Sequence, residues 1–167
     1  MRARKVCLIG DFAVGKTSLV SRFVHSTFGE QYLTTVGVKI DTKEVSLPSG
    51  DRIKLVLWDI AGKSEFAPID TSYLRDAAGY LLVADGTRVE TLHSAVELQA
   101  SVEQQLGRVP FGLVLNKVDL ADRWALDSDR LAAVDVRDWR VGRTSALNGD
   151  GVETAFAQLG AQLMHET

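Results

Sequence analysis

Only one cysteine, Cys7, occurs in the 167 residues. That excludes an intramolecular disulfide framework and any multi-cysteine metal cluster, and it suits a reducing compartment. No run of about 18 apolar residues exists, so no membrane-spanning helix is expected. The basic start Met1-Arg2-Ala3-Arg4-Lys5 is followed by an apolar stretch that stops at Gly10-Asp11, too short for a signal peptide. Residue 2 is Arg rather than Gly, and the last four residues, Met164-His165-Glu166-Thr167, hold no prenylation cysteine, so no lipid anchor is expected. The three basic residues Arg2, Arg4 and Lys5 are too few for firm membrane attachment. Basic charge is not in excess either: 19 Lys plus Arg against 22 Asp plus Glu gives −3. Such a chain is a poor candidate for nucleic-acid binding, although a local pocket for one phosphorylated ligand remains open. His25, His93 and His165 lack metal-ligand spacing and read as surface or capping residues. No repeat, low-complexity segment or Pro/Ser-rich linker divides the chain, so residues 1–167 read as one domain with a cytoplasmic location.

What is present is an ordinary globular mixture, 46% hydrophobic and 25% charged, long enough to close a core unaided. Residues 6–9 read as a short buried strand, followed by a glycine-containing loop and a helix over 16–25. Residues 38–47 and 53–58 read as strands joined by the turn Pro48-Ser49-Gly50-Asp51, hence as an antiparallel pair. The apolar runs at 79–84 and 111–115 suit strands buried on both faces. Helical periodicity places Leu92, Val96, Leu98 and Val102 on one stripe of 89–106, and Val152, Phe156, Leu159 and Leu163 on one face of 152–164. A short helix is expected at 127–134 and a last strand at 138–143. The alternation predicts an α/β fold of three layers: a six-stranded, mostly parallel sheet, its second strand antiparallel, with helices on both faces. Ligands of such sheets sit beyond the carboxyl ends of the strands, where the motifs fall.

Gly10-Asp11-Phe12-Ala13-Val14-Gly15-Lys16-Thr17 fits G-x-x-x-x-G-K-[ST], with an apolar strand before it and a helix after it. Glycines open backbone conformations in which successive N–H groups point inward at phosphate oxygens, and the helix N-terminus adds positive potential. The loop residues Asp11, Phe12, Ala13, Val14 and Gly15 therefore form a candidate phosphate cradle, which Lys16, Thr17 and Ser18 complete at the helix start. Lys16 supplies a cation for the outer phosphates, and the Thr17 hydroxyl can ligate Mg²⁺. This loop does not choose between purines. Asn116-Lys117-Val118-Asp119, directly after the strand at 111–115, does. A carboxylate at Asp119 can accept from both N1–H and the 2-amino group of guanine, whereas adenine offers it a lone pair and no amino group there.

With Thr35-Val36-Gly37, Trp58-Asp59-Ile60-Ala61-Gly62 and Thr144-Ser145-Ala146 beside these two motifs and in the family's order, the sequence resembles the Ras superfamily of small GTPases over nearly its whole length. Trp58 and Thr35-Val36-Gly37-Val38 resemble the Rab branch more than Ras proper. The missing lipidation cysteine departs from most of those members and fits prokaryotic Ras-like proteins. The resemblance implies a three-layer P-loop G domain that switches between GTP and GDP states. It implies Mg²⁺ bound through Thr17, Thr35 and, by way of water, Asp59. Gly62 would contact the γ-phosphate, Phe28 would stack on guanine, and the Ala146 amide would face O6 beside Leu147. Ser145 would orient Asp119, alongside Asn116 and Lys117. Catalysis would be positioning and electrostatics, from Lys16, Thr35, Gly62 and the residue at 63. Effector, exchange-factor and GTPase-activating proteins would read switch segments at residues 26–37 and 60–75, which the γ-phosphate and Mg²⁺ tie down and hydrolysis frees.

Two residues depart from that pattern. Lys63 stands where the family has Gln. A protonated Lys has three donors and no acceptor, so it cannot polarise the attacking water as an amide does, though it can neutralise phosphate charge. Slow intrinsic hydrolysis follows, unless Lys63 points to solvent. Phe12 stands where relatives carry a small residue; its ring either excludes water and an arginine supplied in trans, or packs outward on the second switch. Two rival functions remain: a GTP- or GDP-binding interaction module with little hydrolysis, and a small-molecule kinase, for which Asp119 predicts the wrong base. Cys7 reads as a core residue, Asp127 and Asp129 as a solvated helix start, and Trp124 and Trp139 as packing residues.

Overall fold

The computed structural model describes residues 2–26, 37–62, 69–134, 136 and 138–165. The expected site residues Phe28, Thr35 and Lys63 lie outside them. In chain order the elements are β1 (Arg2–Gly10), α1 (Lys16–His25), β2 (Val38–Ser46), β3 (Arg52–Ile60), β4 (Gly79–Asp85), α2 (Val89–Leu106), β5 (Phe111–Asn116), α3 (Ser128–Ala132), β6 (Val141–Thr144) and α4 (Val152–His165). Single 3-10 turns at Thr71–Leu74 and Ala121–Arg123 link β3 to β4 and β5 to α3. The sheet order is β2-β3-β1-β4-β5-β6. Among the described residues only the β2–β3 pair is antiparallel, with Val38 opposite Ile60 and Ser46 opposite Arg52.

Strand alternation sorts the core into two layers. Val6 and Leu8 of β1 pack with Leu19, Val20 and Phe23 of α1 and with Phe156, Leu159 and Leu163 of α4. Cys7 and Ile9 face the other way, onto Leu92, Ala95 and Val102 of α2. Helices thus cover both faces of a mostly parallel sheet, as expected. Phe23 stacks on Phe156 with ring centroids 4.0 Å apart, joining α1 to α4. Because β3 and β4 lie on opposite sides of β1, the chain leaves β1 at the point where the sheet order reverses, which opens a crevice at its carboxyl end.

Several boundaries differ from the sequence reading. β1 begins at Arg2, four residues early, because pairing with β3 carries it past the apolar segment (Arg2 opposite Ile53). The helix expected over 127–134 is limited to Ser128–Ala132, with the Asp127 carboxylate accepting from the Arg130 N–H as its N-cap. The last strand is Val141–Thr144 rather than 138–143; Trp139 precedes it, edge-on to Phe111.

Candidate functional site

The loop between β1 and α1 folds back over the sheet's carboxyl edge. Ala13 has φ 64° and Gly15 φ 105°, the alternation of hands that makes consecutive N–H groups converge. A Cβ on Gly15 would lie 2.2 Å from Asn116 Nδ2, and one on Gly10 2.4 Å from the Val83 carbonyl, so both positions require glycine. Lys16 opens α1 and is buried, its ammonium 3.4 Å from the Gly10 carbonyl and 3.3 Å from that of Asp11. Burial lowers its pKa to about 8, against the opposing pull of Asp59 and Asp11.

Beside it, the Thr17 hydroxyl donates to Asp59 Oδ2 at 2.5 Å. Burial pushes the Asp59 carboxyl up from its ordinary range, while the Thr17 hydrogen bond, Lys16 and Lys39 work against that rise. This donor set is all oxygen and includes one carboxylate, which suits a small hard cation held mainly by water and phosphate. Among the described residues no group of three or more His, Cys, Asp or Glu could hold a metal. Gly62 lies against the same loop: a Cβ there would meet the Asp11 carbonyl at 2.7 Å and the Phe12 nitrogen at 2.8 Å. Phe12 is 53% exposed. Of the two candidate switch segments, the described ends meet, since the Ala61 N–H donates to the Gly37 carbonyl at 2.8 Å.

The second motif reaches the same place from β5. Asn116 Nδ2 donates to the Val14 carbonyl at 3.0 Å, and Thr144 Oγ1 donates to Asn116 Oδ1 at 3.0 Å. Lys117, in a left-handed conformation with φ 74°, donates to the Ala13 carbonyl at 3.0 Å. Asp119 accepts from the Ser145 hydroxyl at 2.7 Å, which fixes the plane of its carboxylate. Arg22 of α1 reaches the neighbouring loop, donating to the carbonyls of Ala146 at 2.9 Å and Leu147 at 2.5 Å. Leu147 itself is exposed. Ser18 lies half-buried in the first turn of α1.

Sequence reasoning missed Arg22, Asp85 and Arg88 here, and it quoted Thr144 within a motif without giving it a role. Asp85 is the last residue of β4 and is almost wholly buried; it accepts from Lys117 Nζ at 2.8 Å, Arg88 Nε at 3.0 Å and the Thr87 hydroxyl at 2.7 Å. Burial alone would raise its carboxyl, but these bonds outweigh it and hold the group below the ordinary range. A polar residue ending the apolar run at 79–84 was the available signal, because that strand too ends at the ligand edge.

The sequence profile of the Ras family matches residues 5–165. The chain is 36% identical over 164 residues to the Ras-related protein Rab-30 of Homo sapiens, covering 97% of this chain and 80% of that protein. It is 36% identical over 157 residues to Ras-related protein Rab-8B of Dictyostelium discoideum, covering 93% and 77%. Over 163 residues it is 32% identical to Ras-related protein Rab-10 of Caenorhabditis elegans, covering 96% and 80%.

Proposed function

Since the chain belongs to the Ras family of GTP-binding switches, we propose that Lys16, Thr17 and the Asp11–Gly15 amides hold the polyphosphate of GTP or GDP while Asp119 reads the guanine edge. The observation that carries this reading is the meeting of the two motifs: Asn116 and Lys117 hydrogen-bond directly to the phosphate-type loop, and Ser145 holds Asp119 at the same sheet edge. Asp119 then accepts from N1–H and the 2-amino group, and the Ala146 amide faces O6. Leu147 flanks the base site, Phe28 stacks on the ring, and Ser18 supports the phosphates from the first helical turn.

Thr17, Asp59 and, in the GTP state, Thr35 would hold Mg²⁺, which neutralises phosphate charge when bound. Lys16 is buried, so its cation would face the phosphates with little competing solvent, and electrostatic stabilisation in such a place is strong. Gly62 allows the second switch to close onto the loop where a side chain would strike the Asp11 carbonyl. The switch segments at 26–37 and 60–75 would then present different surfaces to effector, exchange-factor and activating proteins in the two states, in the cytoplasm.

Hydrolysis is slow in this reading, because Lys63 has no acceptor with which to polarise water. The test of the whole is to release and identify the nucleotide carried by the purified chain, with and without EDTA. Guanine nucleotide, lost faster when magnesium is chelated, is expected; adenine nucleotide in its place would overturn the reading. For the rate, Lys63→Gln should raise single-turnover hydrolysis several-fold, and an unchanged or lower rate would remove the role given to Lys63. The same two departures, Lys63 and Phe12, favour a second reading as a GTP- or GDP-binding module with little turnover. Bound GTP that persists through the assay would select it.

A further inference from the structure

We propose that Arg88 is a positioning residue for the phosphate-binding loop, the third of three ties that aim its N–H groups. The inference rests on the guanine-nucleotide reading above and deepens it. Neither motif contains residue 88, which stands at the N-cap of α2. Its guanidinium nevertheless forks: Nε donates to Asp85 Oδ2 at 3.0 Å, and one terminal nitrogen donates to the Phe12 carbonyl at 2.9 Å, 76 residues away in sequence.

Three consecutive loop carbonyls are held in this way. Phe12 O is held by Arg88, Ala13 O by Lys117 at 3.0 Å, and Val14 O by Asn116 at 3.0 Å. In a planar trans peptide the carbonyl of one residue and the N–H of the next point in opposite directions. Tying these oxygens toward the β4–α2 and β5 loops therefore turns the N–H groups of Ala13, Val14 and Gly15 to the other side, into the cradle. Two of the three ties share one anchor, since Asp85 Oδ2 accepts from both Lys117 and Arg88. A solvated helix-start arginine would account for neither the buried carboxylate it grips nor the distant carbonyl it reaches. The peptide Arg88 fixes is the one that follows Phe12, the bulky residue at the rim of the cradle.

The consequence is specific to the phosphate end of the ligand. The full chain carrying Arg88→Ala, loaded with a fluorescent GDP analogue and Mg²⁺, should release it about tenfold faster, the effect expected from losing one charge-assisted hydrogen bond. The ³¹P resonances of bound GDP should move, whereas the preference for GDP over ADP should be kept, because Asp119 and Ser145 are untouched. Arg88→Lys should fall between, since an ammonium keeps the charge but not the planar fork. It also carries the test if the alanine variant fails to fold. Wild-type release rate and ³¹P positions in both variants, even with a lower melting temperature, would overturn the proposal and leave Arg88 a structural residue. A wild-type chain with no affinity for guanine nucleotides would instead strike the parent reading and this inference with it.

Discussion

The ammonium of Lys16 is buried at the start of α1, and burial draws its pKa down to about 8. The folded chain thus binds this proton more weakly than the unfolded chain does. Stability consequently rises with pH between about 8 and the ordinary lysine range near 10.4, and the cost of charging the buried group is felt in full below that window. A polyphosphate needs the charged form, so it must draw a proton back as it binds. Nucleotide affinity should therefore be level below about pH 8 and fall above it, with a slope approaching tenfold per pH unit. Equilibrium titration with GDP and saturating Mg²⁺, stepped between about pH 7 and 9, measures this. In Lys16→Arg the fall should vanish, since a guanidinium stays charged throughout; a flat wild-type profile would mean that the cation is not recruited from a neutral state. At this scale Lys16, Thr17, Asn116 and Asp119 were legible because each sits in a spaced pattern with a chemical purpose. Asp85, Arg88 and Arg22 were not, because their partners lie far away in sequence and only folding brings them together.

At the scale of elements, α1 serves both ends of the site. Its first turn carries Lys16 and Thr17, and its last turn carries Arg22, which donates to the carbonyls of Ala146, Leu147 and Ser26. Ser26 is the left-handed C-cap of α1 and the first residue of the expected first switch segment. One guanidinium thereby ties the base-side loop after β6 to the point where the chain leaves α1. Hydrogen bonds to charged groups contribute roughly 1.5–3 kcal/mol each when buried, and less where water competes. Arg22→Ala is expected to cost about 1–3 kcal/mol of nucleotide binding, or roughly five- to 150-fold in GDP release, with a narrower preference for guanine over adenine. Release kinetics with GDP and ADP on the same variant measure both quantities. An unchanged rate and preference would show that the Ala146–Leu147 loop keeps its shape unaided. The elements themselves were largely readable, because α1, β4, α2, β5 and α4 carry strong apolar patterns. The ends were less so: β1 extends through Arg2 and Arg4 by backbone pairing alone, and α3 stops early, where its pattern was only a short run of mixed residues.

Across the whole molecule, the ligand edge is made from pieces that are far apart in the chain and have little else in common. The loop after β1, the ends of β3 and β4, and the loops after β5 and β6 all converge on it because parallel strands present their carboxyl ends together. That convergence concentrates the buried polar and charged side chains Lys16, Asp59, Asp85, Asn116, Thr144 and Ser145 at one edge of an otherwise apolar core. Buried charges are costly unless paired, so a ligand that completes their pairing should stabilise the fold as a unit. A ligand present at a hundred times its dissociation constant adds about 2.7 kcal/mol to the folded state. For a domain of this size that corresponds to a rise of roughly 5–11 °C in melting temperature, at about 2–4 °C per kcal/mol. GDP with Mg²⁺ should produce such a shift in the nucleotide-stripped chain, GDP with EDTA a smaller one, and ADP with Mg²⁺ little or none. Equal shifts from ADP and GDP would show the phosphate cradle working without a base reader, and Asp119 would lose the role that Ser145 and the strand-end geometry support.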